Sequence, residues 1–82
     1  MAIKSSLEEQ FQDAGFLTRP SGSLGIDFCS YEGNLRGSAG YYNEQTVYIE
    51  YTDPYSLSHS EVFPVMVLEE ELRKLGELCS HA

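Results

Sequence analysis

The segment Thr46–Thr52 constrains the fold most strongly, because its side chains alternate in hydrophobicity with a period of two residues. In an extended chain, three large apolar side chains would share one face and the two residues between them would share the other: Val47, Ile49 and Tyr51 against Tyr48 and Glu50. This alternation is typical of a strand with one buried face and one face toward solvent. The chain is therefore expected to build a sheet that is covered on one side.

Two further segments fit strands of the same sheet. Residues 24–29 alternate between apolar and small or polar side chains, and residues 35–42 form an extended segment that is rich in glycine and other small residues. Turns are predicted at 32–34 and 43–45, so the three strands would pair as an antiparallel meander. The segment 19–23, which contains Pro20, is predicted to be a turn, and 55–60 a polar loop.

Helices are predicted at both ends of the chain. Ser5 stands three residues before Glu8 and Ser6 three before Glu9, and either spacing fits a capping box. The N-terminal helix is placed at about 6–14, with Gly15 at its left-handed end.

The C-terminal helix is predicted from a stripe of apolar residues in steps of three and four: Val65, Leu68, Leu72, Leu75 and Cys79. It is placed at about 64–79, with Pro64 in its first turn. Residues 62–67 could be either strand or helix. The sequence thus predicts a single α+β domain over residues 1–82, in the order α-β-β-β-α, with a three-stranded antiparallel sheet covered by the N- and C-terminal helices.

The charge of the chain limits its partners. Thirteen acids and five bases in 82 residues give a formal net charge of −8, and 41% of the residues are hydrophobic. A disordered acidic tail would be less apolar. Nucleic acid and anionic membrane are polyanions, so direct binding to either is not expected. The sequence shows no apolar run of the roughly 18 residues that a membrane span needs. The N-terminal residues also lack the apolar core of a signal peptide, so a cytoplasmic protein is expected.

The cysteines and histidines are the candidates for metal or thiol chemistry. Cys79 and His81 are close together, whereas Cys29 and His59 are scattered, and structural zinc sites usually contain two tight pairs. Neither cysteine has a basic neighbour that would lower the pKa of its thiol. We therefore expect both thiols to lie in the core, with no metal, no cofactor and no catalytic residue. A zinc or thiol enzyme stands as a distant third hypothesis.

Acidic and tyrosine residues are concentrated in one part of the chain. Between Arg36 and Arg73 there is no lysine or arginine, but there are seven acids and five of the six tyrosines. Tyrosine is favoured at protein interfaces, and a negative surface attracts a positive partner. The alternative is an acidic face that only keeps the protein soluble. The predicted partner-binding residues are Glu44, Tyr48, Glu50, Asp53, Tyr55, Glu69, Glu70 and Glu71, of which Glu44, Glu50 and Asp53 are expected to be the chief outward-facing acids.

In size and charge the chain resembles phage anti-CRISPR and other DNA-mimic proteins, and also bacterial immunity proteins that neutralise basic toxins. The resemblance covers composition only, so it assigns no site residues. It implies a non-enzymatic inhibitor that binds a basic, nucleic-acid-handling protein and blocks it. The alternatives are an immunity protein or antitoxin against a basic toxin, and a small structural or oligomerisation module. The protein is expected to be a monomer or a weak homodimer.

Overall fold

A computed structural model describes residues 6–22 and 25–80, which form a small α+β domain with two helices and one five-stranded antiparallel sheet. The strands lie in the sheet in the order in which they occur in the chain. The elements are α1 (Leu7–Asp13), β1 (Leu17–Ser21), β2 (Gly25–Cys29), β3 (Arg36–Asn43), β4 (Thr46–Thr52), β5 (Ser58–Pro64), a 3₁₀ turn (Val65–Val67) and α2 (Leu68–Ser80). Neither of these helices has the length and apolar character needed to cross a membrane.

The predicted three-stranded sheet is wrong, because strands occupy both edges of the predicted meander. The edge strand β1 contains Pro20, which was predicted to lie in a turn. The other edge strand, β5, runs from Ser58 to Pro64 and includes part of the predicted polar loop. Proline removes a backbone donor, and an edge strand can tolerate this because it pairs on one side only. Residues 62–67 are therefore strand up to Pro64 and then a 3₁₀ turn, so α2 begins four residues later than predicted.

The two ends of α1 follow from local chemistry. The Ser6 hydroxyl accepts a hydrogen bond from the Glu9 amide at 3.1 Å, which satisfies a backbone donor that has no partner inside the helix. Of the two predicted Ser–Glu pairs, the structure describes only Ser6 and Glu9, where the Ser6 hydroxyl caps the helix and also lies 3.4 Å from a carboxylate oxygen of Glu9; Ser5 lies outside the described residues. Gly15 has φ +97°, a left-handed conformation that most side chains disfavour, so the predicted helix end is confirmed.

One face of the sheet, here called the inner face, carries the core, and both helices pack against it. The predicted faces of β4 are confirmed: Val47 and Ile49 are buried, while Tyr48 and Glu50 lie on the opposite, outer face. The buried core joins inner-face and helical residues in one cluster: Leu7, Phe11, Phe16, Ile26, Phe28, Leu35, Ala39, Val47, Ile49, Phe63, Leu68, Leu72 and Leu75. The sheet therefore has one face covered by helices, as its alternating pattern requires.

Replacing Gly76 with alanine is expected to stabilise the protein. Gly76 lies inside α2, and a Cβ atom added there would meet no atom within 4 Å. Glycine in a helix is about 1 kcal/mol less favourable than alanine, so Gly76→Ala should raise the thermal midpoint by about 4–8 °C. Thermal unfolding followed by circular dichroism measures this. An unchanged or lower midpoint would show that the backbone at this position needs glycine.

Candidate functional site

A wide groove of about 1900 Å³ is lined by residues of both helices and of the loops that connect strands of the sheet. The C-terminal part of α1 lines it on one side, and the 3₁₀ turn and α2 line it on the other. The β2–β3 loop and the β3–β4 turn complete the lining. We call this feature the interhelical groove. Its size exceeds the roughly 300–1,000 Å³ of pockets that hold small molecules, so it can admit a segment of another chain.

The interhelical groove is strongly acidic. Among the described residues its lining has six carboxylates, which come from both helices and from the two connections that complete the groove: Asp13, Glu32, Glu44, Glu69, Glu70 and Glu77. Arg73 is the one lysine or arginine in that described lining. Its guanidinium lies 3.7 Å from a carboxylate oxygen of Glu70 and 3.4 Å from one of Glu77, so its charge is shared between two acids. The groove is therefore complementary to a cationic ligand.

Aromatic and thioether side chains lie exposed along the same groove. Tyr31 is 75% exposed, Tyr42 is 70% exposed and Met66 is 86% exposed. Large apolar side chains that remain exposed together are typical of binding surfaces. Tyrosine and methionine are also enriched at protein interfaces.

A β-bulge brings two successive tyrosines to the groove. The register of β3 against β4 shifts between Tyr41, which pairs with Val47, and Asn43, which pairs with Thr46. In a regular strand neighbouring side chains point to opposite faces, but the extra residue of a bulge re-aims the side chains beside it. Tyr41 and Tyr42 consequently both line the groove. A period-two interpretation of the sequence would have separated them.

The structure brings only some of the predicted partner-binding residues together. Glu44, Glu69 and Glu70 all line the interhelical groove. Glu71 is not part of the lining, and it is half-buried with a carboxylate oxygen 3.7 Å from Lys74 Nζ. Tyr55 is exposed in the β4–β5 loop and is not among the residues that line the groove. These residues were predicted to share one surface because they are close along the chain, and that proximity does not extend to three dimensions.

Tyr48 and Glu50 lie on the outer face, where acidic and basic residues are mixed. The Tyr48 ring covers Gly40, because a Cβ atom added there would lie 2.9 Å from Tyr48 Oη. The Tyr48 ring therefore packs against β3, although the side chain is partly exposed. Arg19 and Arg36 also point to this face, as the register of β1–β3 requires. Such a mixed surface is less suited to a cationic partner than the groove is.

The prediction that Asp53 faces outward is wrong. It is 6% exposed and forms the centre of the β4–β5 loop. Its Oδ1 accepts hydrogen bonds from the backbone amides of Tyr55 and Leu57, each at 2.9 Å. Its Oδ2 lies 2.7 Å from Nε2 of His59, whose ring stacks on Tyr51 with centroids 4.7 Å apart. A short polar side chain often stabilises a loop by hydrogen-bonding to its backbone amides. At Asp53 these local hydrogen bonds outweigh the general preference of aspartate for solvent.

Acid is expected to weaken the fold through Asp53. The hydrogen bond to His59, with those from the Leu57 and Tyr55 amides, holds the pKa of Asp53 below its usual value of 3.8, although burial opposes this. The folded carboxyl therefore binds its proton less tightly than the unfolded one. It contributes stability that is fully present above pH 3.8 and is lost as the pH falls from there through the lower, folded pKa.

Asp53→Asn should accordingly lower the free energy of unfolding at neutral pH and make its fall in acid shallower. Urea unfolding between about pH 6 and pH 2 measures both effects. His59→Ala should reduce the same acid dependence, since His59 is the largest cause of the shift. If all three proteins lost stability equally in acid, the loop would not depend on this carboxylate.

The two thiols have different environments. Cys79 packs against the core and lines the groove, and burial raises the pKa of its thiol. Cys29 lies on the outer face, between Leu17 and Arg36 in the sheet register, so its predicted place in the core is wrong. Within residues 6–22 and 25–80, no three histidine, cysteine or acidic side chains are grouped so that they could hold a metal ion. His81, a member of the candidate zinc set, lies outside these residues.

Several groove residues could not be found by searching along the chain. Asp13, Glu32 and Glu77 lie outside the span that lacks lysine and arginine, so nothing in the sequence groups them with Glu44. Tyr31 also lies outside that span.

Comparison of the chain with protein-family models, with curated proteins and with solved structures finds no match.

Proposed function

We propose that this protein is a non-enzymatic inhibitor that binds a basic, nucleic-acid-handling protein through the interhelical groove and blocks it. The observation that carries the proposal is the lining of the groove, which contains six carboxylates and one arginine, itself paired with two of those acids. Proteins that bind nucleic acid present lysine and arginine to phosphates. A folded surface with several carboxylates can attract the same side chains and exclude the nucleic acid.

The use of the titratable groups supports a binding role over a catalytic one. Both carboxylate oxygens of Asp53 are occupied in folding the β4–β5 loop, and His59 contacts it through Nε2. Burial raises the pKa of the Cys79 thiol, which disfavours the thiolate that a nucleophile needs. By contrast, the groove acids are on the surface, where they can meet a partner. An antitoxin that neutralises a basic toxin would use the same surface.

The proposal is tested with an identified partner. Proteins captured on the immobilised chain are identified by mass spectrometry and purified, and their binding to nucleic acid is then measured with and without this protein. We expect a basic nucleic-acid-binding partner that loses its nucleic acid in proportion to the inhibitor added. A captured partner that still binds and processes nucleic acid at saturation would contradict the proposal, as would a partner without a basic surface.

Charge variants connect the inhibition to the groove. Replacing Glu44, Glu69 and Glu70 together with glutamine should slow association with that partner, and more so at low salt, because surface charges steer encounter and are screened by ions. Glu50→Gln is the control for loss of an acid outside the groove, since Glu50 is an exposed acid on the outer face, and its effect is compared per charge removed. Equal association rates for the triple variant, the control and the wild type at both salt concentrations would show that the groove acids serve solubility alone.

A second candidate function, self-association, is favoured by the outer face. Leu17, Tyr48 and Val62 are exposed there, on a side of the sheet that neither described helix covers. Sedimentation velocity over a range of protein concentrations separates the two candidates. The inhibitor proposal expects a monomer at micromolar concentration. A stable dimer that Val62→Glu disrupts would favour a structural or oligomerisation module instead.

A further inference from the structure

We infer that the interhelical groove holds a short cationic segment of the partner in which arginine or lysine residues flank an apolar one. The inference rests on the proposed function and specifies the chemistry of the segment that the protein recognises. It depends on three properties of the groove that occur together: its size, its carboxylates and its exposed aromatic and apolar side chains.

The carboxylates select the charge of the occupant. A second copy of this chain would bring its own net charge of −8 to an acidic surface, which is unfavourable. A segment rich in arginine or lysine would instead be attracted. The acids are contributed from separate elements, with Asp13 on α1, Glu44 in the β3–β4 turn and Glu69 on α2. Cationic side chains spread along a peptide could therefore each meet a carboxylate.

The exposed tyrosines favour one kind of cationic side chain over another. A guanidinium or ammonium group is attracted to the face of an aromatic ring, and this attraction increases when water is excluded. Tyr31 and Tyr42 offer such rings at the same groove that carries the carboxylates. Arginine is favoured over lysine because its planar group can stack on a ring while it hydrogen-bonds to a carboxylate.

The apolar side chains that line the groove favour an apolar residue in the bound segment. Met66 is exposed at the groove, and Val65 and Val67 beside it are half-buried. Methionine adapts its shape to different partners, and burial of apolar area provides affinity that salt does not screen. A peptide with charge alone would leave these side chains in water. The best ligand therefore alternates cationic and apolar residues.

Gly76 provides a direct way to close the groove. It lines the groove from α2, and a Cβ atom added there would meet no atom within 4 Å. Gly76→Trp should therefore fold and place a large ring in the space that the peptide would occupy. Gly76→Ala is the matched control, because it makes the same backbone change without filling the groove. Circular dichroism and thermal unfolding verify that both variants are folded.

The probe is a fluorescein-labelled synthetic peptide of arginine and leucine, and binding is followed by fluorescence anisotropy. We expect Gly76→Trp to bind it about tenfold more weakly than Gly76→Ala does, or worse, because the two variants differ only in the size of the side chain. A peptide in which serine replaces each leucine should bind more weakly to the wild type at low and at high salt, because it lacks the apolar contacts that ions do not screen. Equal binding of the arginine–leucine peptide by Gly76→Trp and Gly76→Ala would overturn the inference.

A second variant keeps the test decisive if Gly76→Trp does not fold. Tyr42 and Met66 are both exposed, so replacing them together with serine should leave the fold intact and weaken binding of the arginine–leucine peptide by about tenfold. Unchanged affinity would contradict the inference. Failure of the proposed function is a separate result: if the peptide binds in the groove but no nucleic-acid-handling protein is inhibited, only the function is wrong. If such a partner is inhibited equally by wild type and Gly76→Trp, only the groove assignment is wrong.

Discussion

Gly37→Ala is expected to destabilise the protein by about 1–3 kcal/mol, and Gly37→Val is expected to prevent folding. Gly37 faces Tyr51 across the central strand pair β3–β4. A Cβ atom at this position would overlap the carbonyl oxygen of Glu50 and lie 2.7 Å from Tyr51 Cβ and 2.8 Å from Tyr51 Cα. Most of these atoms belong to the backbone, so only a displacement of the whole strand could relieve the overlap.

Urea and thermal unfolding measure this effect, and the chain contains its own control. Gly76→Ala is the same chemical change at a position with open space, and it is expected to act in the opposite direction. Two glycines in one small domain would thus respond with opposite signs to the same added methyl group. A wild-type midpoint for Gly37→Ala would show that β3 and β4 do not approach each other this closely.

Phe11→Ala is expected to lower the free energy of unfolding by about 3–5 kcal/mol. Phe11 is 0% exposed and is the point where α1 joins the sheet. Its ring centroid lies 4.7 Å from that of Phe28 on β2 and 5.9 Å from that of Phe16. Truncation would leave a cavity between α1 and the inner face and would remove both ring contacts.

The total stability of a domain is about 5–15 kcal/mol, so this change alone could remove much of it. Chemical unfolding of Phe11→Ala against wild type gives the magnitude. Met66→Ala is the control, because Met66 is 86% exposed and surface truncations change stability by about 0.5 kcal/mol or less. A Phe11→Ala protein as stable as the control would mean that α1 is not docked through this ring.

Elements whose pattern is local were predicted well. The strand Thr46–Thr52 has the bounds and the faces that its alternation predicts, because a period of two leaves one choice of buried face. The N-cap of α1 at Ser6 and the left-handed Gly15 just beyond its C-terminal end are likewise set by neighbouring backbone groups. Such features depend on interactions within a few residues, so the sequence contains enough information for them.

The edge strands β1 and β5 were not predicted, because each contains a proline that is tolerated only at the edge of a sheet. Pro20 and Pro64 are unfavourable in a central strand but acceptable in β1 and β5, which each pair on one side. Whether a strand is central or at an edge depends on the order of strands in the sheet. That order is a property of the whole fold, and no window of sequence contains it.

The candidate site likewise has some features that the sequence shows and others that appear only in the folded protein. Three features follow from the sequence alone: the strong negative charge, the concentration of acids and tyrosines between Arg36 and Arg73, and the single covered face of the sheet. The folded structure shows which acids share a surface: Asp53 is buried in a loop, Glu50 lies on a face of mixed charge, and Glu44 lines one groove with Asp13, Glu32 and Glu77. Electrostatic attraction depends on distance in space, and the packing of two helices on the sheet sets those distances independently of separation along the chain.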